Sequence, residues 1–183
     1  MTPTWDPLIS LDDSVLLIID VQDRLYPTIR DNEPLLDNLV KLIKCARIID
    51  LPIILTEQHN LGPTHAEIIR EAGDIPPVTK LEFNCFGSPE FRRRLAAMNR
   101  GTLVVAGIET HICVAQTALS GVARHRIHVV ADATSSRSLN DKELALARLR
   151  RAGVIITSLE MLIYELLQKA GTDVFRQVLT LVK

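Results

Sequence analysis

The apolar positions of this chain fall into two alternating kinds of run. Short stretches rich in Val, Ile and Leu read as strands. Between them, apolar residues recur at three- and four-residue spacing, as in a helix with one buried face. Val15 to Asp20 (VLLIID) is the first predicted strand and Leu35 to Asp50 the first helix. In that helix Leu36, Leu39, Val40, Ile43 and Ala46 share one side, and Lys41, Lys44 and Arg47 the other. Pro52 to Thr56, a short Pro77 to Lys80, Thr102 to Gly107, Ile127 to Ala131 and Val154 to Thr157 complete the strands. Further helices are predicted over Pro89 to Asn99, Thr110 to Arg124, Asn140 to Ala152 with Gly153 at C′, Ser158 to Gln168 and Thr172 to Val182.

Strands that are apolar throughout, such as TLVVAG, suit a sheet covered on both faces. Their alternation with helices implies parallel strands joined by right-handed crossovers. The expected fold class is therefore α/β: a three-layer, doubly wound, Rossmann-like domain on a six-stranded parallel sheet. The chain has 183 residues, 47% of them hydrophobic, and carries no internal repeat or Gly/Ser linker, so residues 1–183 read as one domain. The connection from Glu57 to Pro76 is the main irregular stretch, and connections of that length in compact domains tend to carry function.

Composition narrows the function classes. A formal charge of −1, with both signs scattered, gives no field to concentrate nucleic acid or an anionic membrane, so neither is expected as a partner. The opening MTPTWDPLIS has no basic segment leading into an apolar one, and no later run is long enough to span a bilayer, so neither secretion nor membrane insertion is expected. Cys45, Cys85 and Cys113 are an odd set without CxxC spacing, which points to a reducing cytoplasm and not to a disulfide framework or structural zinc.

In open parallel sheets ligands bind beyond the carboxyl ends of the strands. Those ends fall at Asp20, at Thr56 and Glu57, at Lys80, at Gly107 to Cys113, and at Ala131 and Asp132. Asp20 closes an apolar run, where desolvation would raise its pKa unless a cation offset it; capping of the next turn is the plainer alternative. Lys80, taken singly, is an ordinary lysine after a strand. Cys113 in VVAGIETHICVAQTAL is the sharper signal, because it falls in the first turn of a helix with Thr110 as N-cap. A helix N-terminus and a nearby lysine both lower a thiol's pKa. A buried structural cysteine is the alternative there, Cys45 sits on a core face, and Cys85, just past Lys80, ranks second as a nucleophile.

The segments IIDVQDRLYP, VTKLEFNCF and VAGIETHICV resemble the three catalytic motifs of the isochorismatase-like cysteine hydrolases, in order and nearly end to end along the chain. LPIILTEQHNLGPT, ADATSSRS and ELALARLRRAGVIITSLEMLIYELL are most similar to the isochorismatase domain-containing subgroup. The resemblance implies Asp20 as general base, Lys80 as the cation stabilising thiolate and transition state, and Cys113 as nucleophile. It further implies a cis peptide between Ile108 and Glu109, with the backbone N–H groups of Glu109 and Cys113 as the oxyanion hole. The reaction so implied is hydrolysis of a small amide, carbamoyl or related C–N substrate through a thioester.

Departures from better-known relatives narrow this. Nicotinamidases carry an aspartate and histidines after the second strand to hold a metal, whereas this chain has Gln58 at the aspartate position. No metal and no organic cofactor is expected, although His59 and His65 with Glu57 are an alternative zinc set. True isochorismatases cleave a vinyl ether without a nucleophilic cysteine, so Cys113 argues for C–N chemistry. Glu57, Gln58, His59, Phe83 and Phe86 are candidate pocket residues; the two phenylalanines are equally placed to be core. Arg137 is open between binding a carboxylate and capping or pairing at the surface.

The resemblance also implies a homo-oligomer, to which the apolar Val174, Phe175, Val178, Leu179 and Val182 would contribute unless they pack within the chain. The rival from another class is a non-catalytic scaffold that binds a partner or metabolite, which the intact triad opposes. Nucleotide binding is set aside because neither GxGxxG nor GxxxxGK[ST] is present.

Overall fold

The computed structural model describes residues 8–182; the reading of residues 1–7 for a leader lies outside them. Six strands, β1 (Ser14–Ile19), β2 (Ile53–Gln58), β3 (Val78–Lys80), β4 (Thr102–Ile108), β5 (Arg126–Ser135) and β6 (Ile155–Thr157), form one parallel sheet in the order β3-β2-β1-β4-β5-β6. This is the doubly wound order, with its reversal between β1 and β4, and a crevice at the carboxyl ends is its natural ligand site.

Alternation along the central strands sorts side chains to two cores. Leu16 and Ile18 of β1 and Val104 and Ala106 of β4 face α1 (Asn32–Ile48), α2 (Ala66–Ala72), α6 (Leu159–Leu167) and α7 (Asp173–Val182). Val15, Leu17 and Ile19, with Leu103 and Val105, face α3 (Pro89–Met98), α4 (Ala115–Gly121) and α5 (Leu139–Arg151). Every residue of β1 and β4 is buried, which is why those strands are unbroken apolar runs. Among the described residues no helix is long and apolar enough to cross a membrane.

Three elements depart from the sequence reading. The stretch after β2 is not wholly irregular: α2 forms there because Ile68 and Ala72, four apart, both reach the core, with His65 capping it through Nδ1. The predicted helix from Thr110 is divided. Thr110–Val114 is a π turn, closed by the Val114 N–H donating to the Glu109 carbonyl at 3.2 Å, and α4 begins only at Ala115. Thr110 is no N-cap, since its hydroxyl lies 2.9 Å from that of Thr134. Finally, β5 does not end at Ala131 and Asp132. Its register against β4 jumps from Val105↔Val129 to Gly107↔Thr134, a bulge that carries the strand on to Ser135. The bulge reverses the facing: Val129 belongs to the α3–α5 core, Ala133 to the α1 core.

In α7, Val178, Leu181 and Val182 pack on the α1 core, and Phe175 meets Tyr164 edge-on at 6.3 Å. Intrachain packing thus accounts for much of that helix's apolar face.

Candidate active site

β1 stops at Ile19 because Asp20 turns into the left-handed region (φ 52°), which a short carboxylate tolerates better than most side chains. Its backbone N–H still donates to the Thr56 carbonyl at 3.2 Å, holding the turn against β2. The Asp20 carboxylate is fully buried and is surrounded by donors. Thr56 Oγ1 donates to Oδ1 at 2.7 Å and Lys80 Nζ donates to Oδ2 at 2.6 Å, and the Cys113 thiol lies near enough for the Asp20 charge to act on it.

Lys80 reaches Asp20 across β2. In β3 the side chains alternate buried, exposed, buried, so that Val78 and Lys80 point inward. Gln58, register partner of Lys80, accepts from Nζ through Oε1 at 2.8 Å, while its Nε2 donates to the Leu81 carbonyl at 2.8 Å. The ammonium is therefore held between a carboxylate and an amide oxygen. Burial is the largest influence and works to lower its pKa, but the Asp20 charge and hydrogen bond together with Cys85 and Cys113 outweigh it, so the pKa is raised and the group stays protonated.

Cys113 is the fourth residue of the π turn and only 6% exposed. Burial pushes its thiol up, the Asp20 charge pushes it further, and Lys80 only partly compensates. The activated thiolate expected from a helix N-terminus is thus corrected. The thiol follows no regular α-helical first turn, and at rest it is neutral beside Asp20. Cys85 lies close by, with its backbone N–H donating to Thr117 Oγ1 at 3.0 Å and its thiol pushed up to about 11 by burial. Cys45, in the core under α1, is likewise raised to about 11 by burial.

Gly107 brings β4 against β1 just before this turn. Its φ is +109°, and a Cβ there would stand 2.2 Å from the Ile19 carbonyl oxygen, so the position admits glycine alone. The peptide from Ile108 to Glu109 is cis. The Glu109 side chain is buried, its carboxylate accepting from the Arg137 backbone N–H (2.9 Å) and Nε (3.1 Å). Arg137 is thus an ion-pair partner, but of a buried carboxylate and not of a surface one.

The remaining sequence candidates are spread out. Glu57 accepts from the Thr64 N–H (2.8 Å) and hydroxyl (2.7 Å), fixing the connection after β2. His59 is exposed, and its backbone N–H donates to the Lys80 carbonyl. Phe83 stands 53% exposed on the segment after β3. Phe86 turns away from the triad: its ring packs edge-on against Phe91 (5.3 Å) and on His125 (5.6 Å), beside a hollow bordered by Asp13 and Gly101 at the opposite end of the sheet. It is core, because the turn Cys85–Gly87 aims it at α3 and α4. The alternative zinc set is occupied otherwise, with Glu57 bound to Thr64 and His65 capping α2. Among the described residues no three His, Cys, Asp or Glu side chains converge as metal ligands.

Sequence reasoning missed Thr56 and Gln58 as partners of the acid and the lysine. Their signal was available: Thr56 and Gln58 alternate in period two along the polar end of β2, on the opposite phase to Glu57.

Residues 14–161 match the family described as Isochorismatase domain. The chain is 35% identical over 177 residues to isochorismatase domain-containing protein 2A of Mus musculus, spanning 94% of this chain and 84% of that one. It is 33% identical over 178 residues to the secreted isochorismatase effector Isc1 of Phytophthora sojae, spanning 93% and 84%. The structure of a Caenorhabditis elegans protein named MAR1 ribonuclease superposes with a TM-score of 0.89 at 31% identity, over 96% of this chain and 92% of that one.

Proposed function

This chain belongs to the isochorismatase family, and on that premise we propose that it is a hydrolase with Cys113 as nucleophile, acting through a thioester on a small amide, carbamoyl or related C–N substrate. The observation that carries this reading is the Asp20 carboxylate, buried against the Lys80 ammonium at 2.6 Å and close enough to the buried Cys113 thiol for its charge to act on it. Structural ion pairs do not need a thiol as third member; a nucleophile awaiting its base does.

Asp20 takes the thiol proton as Sγ attacks the carbonyl carbon. The developing oxyanion is received by the backbone N–H groups of Glu109 and Cys113. Collapse expels the amine, which carries off the proton held by Asp20. Asp20 then deprotonates a water that attacks the thioester, releasing the acid and restoring the thiol. Because the resting thiol is neutral, proton transfer accompanies attack. Lys80 holds the Asp20 carboxylate in place throughout. Glu57, Gln58, His59 and Phe83 are the side chains nearest the strand ends from which a pocket would be built.

No resident cofactor or metal has a part in this scheme. A homo-oligomer belongs to the same reading, with the exposed Leu81 and Phe83 directly after Lys80 as apolar surface for a second copy. The cytoplasm suits three free cysteines.

The test is an ammonia-release panel of primary amides and carbamoyl compounds, with Cys113→Ala as control and a single-stranded RNA oligonucleotide alongside. Release that depends on Cys113 supports the reading. Identical release by wild type and Cys113→Ala, or Cys113-dependent cleavage of the RNA alone, overturns it. A formal charge of −1 gives little hold on a polyanion, which disfavours that last outcome.

A further inference from the structure

The segment ADATSSRS, which the proposed chemistry leaves without a role, runs beside the turn that carries Glu109 and Cys113. Beyond its bulge β5 re-pairs as Gly107↔Thr134 and Ile108↔Ser135. From there its polar side chains engage the turn one after another. Thr134 Oγ1 donates to the Gly107 carbonyl at 2.7 Å and lies 2.9 Å from Thr110 Oγ1. Ser136 Oγ lies 3.0 Å from His111 Nδ1. Arg137 then donates to the Glu109 carboxylate from both its backbone N–H and Nε.

The Arg137–Glu109 contact differs in kind from a surface ion pair. The Glu109 carboxylate is buried and accepts from a backbone N–H as well as a guanidinium, whereas Arg137 itself is 58% exposed. A buried carboxylate held by both the backbone and the guanidinium of one residue just past β5 cannot rotate without leaving a charge unpaired. Its own backbone N–H is thereby held in one orientation.

We propose that Arg137, with Thr134 and Ser136, clamps the Gly107–His111 turn, making Arg137 a positioning residue for the Glu109 N–H that receives the oxyanion. The inference rests on the functional reading above. It assigns Arg137 no contact with substrate. Its effect falls on attack at a carbonyl, where an oxyanion forms, and not on activation of the thiol, which depends on Asp20 and Lys80 at the far side of the site.

Two probes of Cys113 separate these. p-Nitrophenyl acetate acylates the thiol through a tetrahedral oxyanion and releases p-nitrophenolate; iodoacetamide alkylates it by displacement at carbon with loss of iodide and forms no oxyanion. Outright loss of an oxyanion donor lowers rates roughly 10²- to 10³-fold, so Arg137→Ala, which loosens the donor without removing it, should slow acylation about tenfold or more. Alkylation should change less than about threefold, and Arg137→Lys, which restores the charge, should recover part of the acylation rate. Thermal midpoints recorded in parallel identify any variant that fails to fold, in which case Arg137→Lys against wild type still decides: acylation slowed and alkylation spared supports the clamp. If acylation and alkylation fall together in folded variants, or neither falls, the inference is overturned while the functional reading stands. If the wild type gives no Cys113-dependent burst, the functional reading fails and the inference with it.

Discussion

Lys80 Nζ and Asp20 Oδ2 lie 2.6 Å apart with neither side chain exposed to solvent. Each of these charges would be costly alone, and each is tolerated because of the other. Lys80→Met should therefore destabilise the fold by about 3–5 kcal/mol, the usual cost of leaving a buried charge unpaired. Adding Asp20→Asn to that variant should return part of the loss, since no lone charge is then left inside. Urea unfolding of the two single variants and the double variant measures this; a double variant less stable than Lys80→Met would contradict it.

The same pair makes an opposed prediction for the thiol. Beyond the effect of burial, the charge of Asp20 raises the Cys113 pKa, whereas Lys80 lowers it. Asp20→Asn should thus bring the thiol pKa down, visible as thiolate absorbance near 240 nm at lower pH. At the same time it should slow Cys113-dependent turnover about 10²- to 10⁴-fold, the range for loss of a general base. A more acidic thiol in a slower enzyme is the expected combination. Turnover that survives Asp20→Asn would remove Asp20 from the mechanism.

Gly107 offers a test of backbone approach. With φ at +109° and the Ile19 carbonyl oxygen 2.2 Å from where a Cβ would sit, Gly107→Ala must push β4 off β1. A cost of about 3 kcal/mol or more is expected, a fall in thermal midpoint of about 6–12 °C for a domain of this size. Differential scanning calorimetry would detect it, and an unchanged midpoint would mean that the strands part more easily than their register implies.

Acid stability should be governed in part by His128. On β5 its ring is buried, Nε2 has no hydrogen-bond partner among the described residues, and burial first, then Arg126, lowers its pKa to about 4. The unfolded chain binds that proton near pH 6.5 and the folded chain does not. Stability contributed by the neutral ring is complete above about pH 6.5 and is lost as pH falls toward about 4, by on the order of 3 kcal/mol. His128→Asn should flatten this part of the pH–stability curve whatever it does to stability at pH 8. A curve of unchanged slope would assign the acid sensitivity to other groups.

The six-stranded parallel sheet and the exits of β1 and β3 were legible because a doubly covered parallel sheet needs unbroken apolar runs, and a charge that ends such a run announces the exit. Asp20 and Lys80 were found that way. Cys113 was found for a reason that the structure corrects: its neighbours read as the start of a regular helix, whereas five residues of π turn intervene. Nothing in the residue types of THICV distinguishes the two, because the backbone bond from Val114 to Glu109 differs from a helical one only by register, and the hydroxyl contact of Thr110 with Thr134 is made through tertiary structure. The end of β5 was likewise hidden. Ala131 to Ala133 breaks the apolar run as a loop would, and only pairing with Gly107 and Ile108 reveals that the strand resumes.

That interruption gives one strand two phases. Residues before the bulge keep their alternation with the sheet interior, and residues after it keep theirs with the turn above the crevice. Neither half constrains the side-chain pattern of the other. Substitutions at Ile127 or Val129 should register as stability, and substitutions at Ser136 or Arg137 as rate. A single continuous element of secondary structure is in this way divided between two tasks, and inserting or deleting one residue within Val130 to Ala133 would set them against each other.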